Sequence, residues 1–173
     1  MVLTKLYSMK EILEQLATYN VWANEKFAEL IQAMPEEVLQ KAIPSSFSTI
    51  HSTLMHMWDA ESIWWQRMKL QEVVNPPSAS FKGTTTDVST SLLHQDKLWE
   101  TWVKKATVAA LDHVFLYQTT RKEQFKQPIY QMLLHVFNHG SYHRGQLVNM
   151  LRQAGIEKIP QTDFIVWSRR KGM

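Results

Sequence analysis

The chain is expected to fold as an all-α protein, an up-and-down antiparallel four-helix bundle, and three observations lead there. Four long segments place apolar residues every three or four positions, the period at which side chains share one face of an α-helix. The stretches between them turn polar and gather proline, serine and threonine, while only five glycines interrupt the 173 residues. With 45% hydrophobic residues the chain is long enough to bury one core, so residues 1–173 read as a single domain.

The first long helix runs from about Ser8 to Met34 through Ile12, Leu16, Tyr19, Trp22, Ala23, Phe27, Leu30 and Ile31, and Pro35 closes it. Pro35-Glu36-Glu37 opens a short extra turn, and Pro44-Ser45-Ser46 marks a loop. The second long helix begins at Ser48 or Thr49, either of which can cap it, and continues to about Leu70. Its apolar residues between Ile50 and Met68 lie on nearly every side, as in a helix sheltered by several neighbours or by a second subunit. Gln71 to Thr86, with Pro76-Pro77 and three threonines, read as a long surface loop. Asp87 or Ser89 caps the third helix, which carries Leu92, Leu93, Leu98, Trp99, Trp102 and Val103 to about Ala110. Val114 to Phe125 form a short hairpin or an extended crossover. Pro128 suits the first turn of the fourth long helix, which reaches about Gln153 and ends before Gly155. In the tail, Pro160, Asp163, Phe164, Ile165 and Trp167 belong to a short helical turn packed on the bundle.

Composition narrows the function classes. No run approaches the eighteen or so apolar residues of a membrane span, and the N-terminus lacks the basic, apolar, small-residue order of a secretory signal. A cytoplasmic protein that does not act at a membrane is the expectation. The formal charge is +3, and its small clusters, Lys104-Lys105 and Arg169-Arg170-Lys171, come with no nucleic-acid reading motif. They read as solvated surface, so no nucleic-acid partner is expected. With no cysteine there are no disulfides, thiolate ligands or cysteine nucleophile, and any metal must be held by nitrogen and oxygen.

Three of the seven histidines, His135, His139 and His143, recur four residues apart on the fourth long helix. That spacing stacks imidazoles on one face, near enough to share one metal ion, as helix-borne His pairs do in zinc enzymes. Ile129, Met132, Leu133, Val136, Leu147, Met150 and Leu151 define the apolar stripe. At about 100° per residue, His143 falls roughly 30° from its centre, His139 about 70° and His135 about 110°. His143 and His139 therefore face inward, with His135 at the edge. A lone inward histidine is more often a core residue satisfied by its neighbours than a ligand, whereas two of them one turn apart leave the two readings level. The second helix adds His51 and His56, both about 100° to 120° from its apolar centre, and the wheel does not choose between them. His94 and His113 read as surface or cap residues.

Tyr19-Asn20-Val21-Trp22-Ala23-Asn24, the run Ser48 to His56 followed by Ala60-Glu61 and Trp64, and Asn138 to Gln146 together resemble the DinB family of metalloenzymes. The tail around Asp163 is also similar, so the resemblance covers nearly the whole chain in order. Its most specific part is His139-Gly140-Ser141-Tyr142-His143-Arg144-Gly145-Gln146. The resemblance implies an up-and-down four-helix bundle holding a divalent metal ion, zinc or nickel, on one histidine of the second helix and two of the fourth. Carried across residue by residue, the second-helix ligand is His56, which follows Thr53-Leu54-Met55 and precedes Ala60-Glu61; the others are His139 and His143. His51 stays outside that set, and His135 lies beside the ligands or in the pocket. The resemblance further implies a homodimer and, from enzymes of the wider superfamily, transfer or isomerisation with low-molecular-weight thiols.

Three neutral imidazoles leave a divalent ion its full charge and at least one open position, the arrangement of catalytic rather than closed structural zinc sites. Such a site brings a bound water to a pKa near 7 or holds a substrate thiol as thiolate. The expected function is transfer of a low-molecular-weight thiol to a small electrophile. Metal-assisted hydrolysis, or a non-catalytic metal-binding dimer braced by the ion, would use the same three ligands. Asn20, Asn24, Glu61, Asn138, Tyr142, Arg144 and Gln146 are polar residues near the expected site; a helix-surface or buried structural role suits each somewhat better than chemistry, and no catalytic residue is singled out.

Overall fold

The computed structural model describes residues 8–119 and 121–170, which are mainly helical with one small two-stranded sheet. Helix α1 (Met9–Gln32) starts at a reciprocal cap in which Ser8 Oγ accepts the Glu11 N–H at 3.2 Å and the Glu11 carboxylate accepts the Ser8 N–H at 2.8 Å. Pro35 leads into the single turn α2 (Glu36–Leu39). Of the two expected caps, Thr49 opens α3 (Ile50–Met68), paired with Ser52. Helix α4 (Thr85–Lys105) starts earlier than Asp87 or Ser89. Thr84 is the cap, and Asp87 is its partner three residues on, accepting the Thr84 N–H at 2.9 Å. The Glu36 carboxylate completes that end by accepting the Thr85 N–H at 3.1 Å. The helix also stops short of Ala110: Ala106 turns extended at φ −64°, ψ 139°, and Thr107 caps a separate α5 (Val108–Asp112).

The segment read as hairpin or crossover is a hairpin, with β1 (Val114–Gln118) antiparallel to β2 (Gln124–Pro128) and Tyr117 opposite Phe125. Pro128 sits just outside α6 (Ile129–Gln153), at its N-cap. That helix ends where Gly155 adopts φ +86°, a conformation open to glycine, which lets the Ile156 N–H reach the Leu151 carbonyl at 3.0 Å. In α7 (Phe164–Arg170), Phe164 and Trp167 set their rings edge-on to Tyr19 of α1. Among the described residues no helix is long and apolar enough to cross a membrane.

The four long helices α1, α4, α3 and α6 pack in that order around a shared interior. Their senses depart from strict alternation. Lys10 meets Lys104 and Glu25 meets Lys97, so α1 and α4 are antiparallel. Ser62 bonds Gln95 and Trp65 stacks edge-on to Trp99, so α3 and α4 run the same way. Thr53 meets Met150 and Trp64 meets His135, so α3 and α6 are antiparallel, which leaves α6 parallel to α1. A parallel neighbour needs a connection that returns along the whole helix, and residues 69–84 provide it. Sixteen residues can reach about 50 Å, against about 28 Å for the nineteen of α3. The return path is pinned to α3 step by step: Gln66 bonds the Asn75 backbone, Asp59 accepts the Ser78 N–H, and Phe81 packs edge-on to Trp58. This loop, the hairpin through Tyr117 and α4 through Trp99 cover the apolar sides of α3 from within the chain.

Inside, two apolar clusters draw on all four long helices. One gathers Leu13, Ala17, Trp99, Val103, Leu133 and Phe137, the other Phe27, Ile31, Leu54, Leu92, Leu147 and Leu151. Between them lies a buried polar layer of Asn20, Asn24, Glu61, Asp96 and Arg144. Arg144 Nη1 donates to Asn20 Oδ1 at 2.6 Å and Asn24 Oδ1 at 3.0 Å, and both amides donate onward to Asp96 at 2.8 Å. Burial raises the Glu61 carboxyl well above the usual range, helped by the neighbouring Asp96, so it stays protonated beside it. Gly140 makes the close approach to α1 possible, since a Cβ there would stand 2.9 Å from Asn20 Oδ1 and 3.2 Å from Arg144 Nη1.

Candidate metal centre

His56 projects from the first half of α3, and His139 and His143 come from successive turns of α6, which passes antiparallel across it. The three rings meet. His139 Nε2 stands 3.2 Å from His56 Nε2 and 3.0 Å from His143 Nε2, and one ligand atom from each residue falls within 4.8 Å of the other two. His143 is buried, whereas His56 and His139 are only partly so, which leaves one side of the group facing outward.

Counting protons tests whether a cation fits. His143 Nδ1 stands 2.8 Å from the Gln146 side-chain carbonyl, so its single neutral N–H is committed there and its Nε2 carries a lone pair. The His139 Nε2–H can then serve one neighbouring nitrogen well, not both. One central cation would satisfy all three nitrogens at once. The two spacings to His139 agree: ligands at about 2.0–2.1 Å in a tetrahedron put their nitrogens about 3.3 Å apart, against 3.2 and 3.0 Å here. Charge agrees as well. Burial first, then the repulsion of His143, His56 and His135, lowers the His139 pKa to about 3. Burial likewise lowers His56 and His143, so all three rings are neutral near pH 7, as ligands must be.

The surroundings orient these rings. The Gln146 amide is itself fixed by donating to Ser46 Oγ at 3.0 Å, and Phe47 from the same loop stacks on His56 with ring centres 4.3 Å apart. Phe47 also leans over His143 at 5.8 Å. Neither Ser46 nor Phe47 stands out in the sequence, because they reach the site through a loop with no periodicity. Gln146, one of the polar residues expected near the site, lies three residues after His143 on one helix, within side-chain reach.

His51 turns away and bonds Thr85 Oγ1 at 2.9 Å. His135 is exposed, with its ring 5.7 Å from that of His139 and 5.4 Å from Trp64, beside the group but outside it. His94 and His113 lie exposed elsewhere. Asn138 and Tyr142 are exposed, the latter edge-on to His143 at 5.0 Å. Asn20, Asn24, Glu61 and Arg144 are spent on the buried polar layer.

In this mainly helical protein the second and fourth long helices bring three neutral histidines together in a group that could hold a metal ion. The chain belongs to the DinB family, whose model matches residues 7–170. It is 29% identical over 177 residues to Protein DinB of Bacillus subtilis (strain 168), the match covering 90% of this chain and 93% of that protein. Among solved structures it is similar to a DinB-like protein from Bacillus cereus, with a TM-score of 0.64 and 16% identity over 83% of this chain and 91% of that one. At such low identity this last likeness speaks for the fold alone.

Proposed function

We propose that this protein is a metal-dependent enzyme that transfers a low-molecular-weight thiol to a small electrophile, with His56, His139 and His143 holding one zinc or nickel ion. The observation that carries the reading is the convergence of three neutral imidazoles with no carboxylate among them. When bound there, a divalent ion supplies undiminished positive charge that favours the deprotonated form of a thiol or water. The chain's own residues prepare the place. Gln146 holds the proton of His143 on Nδ1 and leaves Nε2 free. Phe47 covers the ring of His56, and burial keeps the histidines neutral. In the transfer the thiol loses its proton to solvent, a sulfur–carbon bond forms, and the leaving group departs with its bonding electrons.

The same reading takes residues 1–173 as one domain built on a four-helix bundle, cytoplasmic and homodimeric. Val114 and Leu116, 54% and 50% exposed on one face of the hairpin, offer apolar surface for such a contact, and light scattering at micromolar concentration measures the mass. The decisive test is an activity screen. Metal-reconstituted protein is assayed with several small thiols, electrophiles and esters beside His143→Ala. Consumption of free thiol that vanishes in the variant supports transfer, and ester cleavage alone would point to hydrolysis instead. Full metal content without turnover of any of them would leave the ion as a brace between α3 and α6 and end the enzymatic reading.

A further inference from the structure

Arg67 lies in the last turn of α3, its guanidinium carbon 4.8 Å from the centre of the Trp64 ring and 5.7 Å from that of Tyr117. Two aromatic faces hold the planar cation and leave its edge to find acceptors. Among the described residues it has none. No carboxylate comes within ion-pair distance, and Nε is buried without a hydrogen-bond partner. Arg144, by contrast, spends its donors on three side-chain oxygens. The charge of Arg67 complements the carbonyl end of α3, yet that accounts for neither the unpaired Nε nor the pocket that the residue lines.

That pocket measures about 490 Å³, within the range that small ligands fill, with Ile63, Leu70, Val74, Leu116 and Tyr117 supplying its larger apolar part and Gln71, Gln118 and Thr119 a polar one. Glu72 is the one acidic residue on its rim and makes no ion pair with Arg67. A guanidinium without an acceptor in a pocket whose larger part is apolar favours an anion with an apolar body, and its fork matches a planar carboxylate. We propose that Arg67 is the anchor of a binding site for the carboxylate of a small amphiphilic acid.

Hexanoate titrated calorimetrically into the full chain as purified, with metal content measured for every sample, tests the site; hexanamide serves as the uncharged control. The acid is expected to bind, the amide to bind at least about tenfold more weakly, and Arg67→Gln to weaken the acid by a similar factor at unchanged metal content. Arg67→Lys, which keeps charge without the fork, falls between. Were Arg67→Gln unable to fold, Arg67→Lys and the acid–amide difference in the parent would decide. Equal affinity for acid and amide, undiminished acid binding in Arg67→Gln, or no binding by about 10 mM overturns the proposal. So does acid binding lost in His143→Ala but kept in Arg67→Gln, since the carboxylate would then sit at the histidines. Acid binding through Arg67 in a protein that transfers no thiol keeps the site and removes only the reaction.

Discussion

Gln146→Ala isolates the part of the metal centre that touches no metal. The Gln146 carbonyl accepts from His143 Nδ1 at 2.8 Å, and the other end of the amide is tied to Ser46 at 3.0 Å, so the ring is held from behind by a braced acceptor. Losing such support costs about 10- to 100-fold in metal affinity. The acceptor here is a neutral amide rather than a carboxylate, and a neutral hydrogen bond contributes about 0.5–1.5 kcal/mol, so the lower end applies: about tenfold, or about 1.4 kcal/mol. Ser46→Ala removes only the exposed brace and should change affinity less than Gln146→Ala. Gln146→Glu restores an acceptor with charge and should recover or exceed the parent. Competition for zinc against a chromophoric chelator at pH 7.5 gives all three values. Unchanged affinity in Gln146→Ala, in a protein with parental circular dichroism, would refute the assignment of Nδ1–H to Gln146 and with it the proton count that favours a cation.

Four further outcomes follow from the same geometry. Alanine at His56, His139 or His143 leaves two neutral nitrogens and should abolish metal content by elemental analysis; His51→Ala should keep it while losing about 1 kcal/mol with the Thr85 contact, and the reverse pattern would show that the α3 ligand is misassigned. The ligand rings sit below their ordinary pKa, so the neutral state dominates above about 6.5 and protons compete only below it; occupancy should hold from pH 8 to 7 and fall in acid, and occupancy that rose on acidification would contradict the site. Glu61 has the opposite sign. Its pKa is raised on folding, so its contribution is complete below the unfolded value near 4.5 and lost as pH climbs through the folded one; Glu61→Gln should flatten that alkaline decline in urea melts, and an unaltered slope would assign it elsewhere. Gly140→Ala forces a Cβ to within 2.9 Å of an Asn20 oxygen that Arg144 holds in place, and should cost about 1–2 kcal/mol after the helix-propensity gain, whereas Gly145→Ala, with nothing within 4 Å, should stabilise; equal melting shifts would deny the close approach.

The helices were legible because their signals are local. Helix α1 starts beside Ser8, where its apolar period was expected to begin, Thr49 caps α3 as one of the two expected residues, and Gly155 ends α6. The α4 start was misplaced because Thr84 and Asp87 form one reciprocal pair, and because Glu36, far away in sequence, accepts the Thr85 N–H. Helix senses were missed for a different reason: periodicity carries no direction, and the length of 69–84 was the clue that α4 returns parallel to α3. Of the candidate centre, the wheel turned His139 and His143 inward, but it left His51 and His56 undecided. Which of them faces α6 depends on the rotation of α3, set by Trp64 against the hairpin and Trp58 against the loop. Asn20, Asn24, Glu61 and Arg144 were weighed mainly as structural groups, and their place in the buried layer agrees.

That layer acts as a registration key. Apolar clusters tolerate sliding, because one leucine serves a neighbour almost as well as another, but directed donors and acceptors do not. Moving α6 one turn along α1 would carry Arg144 about 5.4 Å from Asn20 and Asn24 and strand a guanidinium in the dry interior. The next residue back along the chain is His143, whose ring packs edge-on to that of His56, on a different helix that reaches the same layer through Glu61. The axial alignment of α3 with α6, on which three nitrogens meeting within a few ångströms depends, is thus clamped by groups that never face the ion. Polar residues in this core hold two halves of the candidate metal site at the same height.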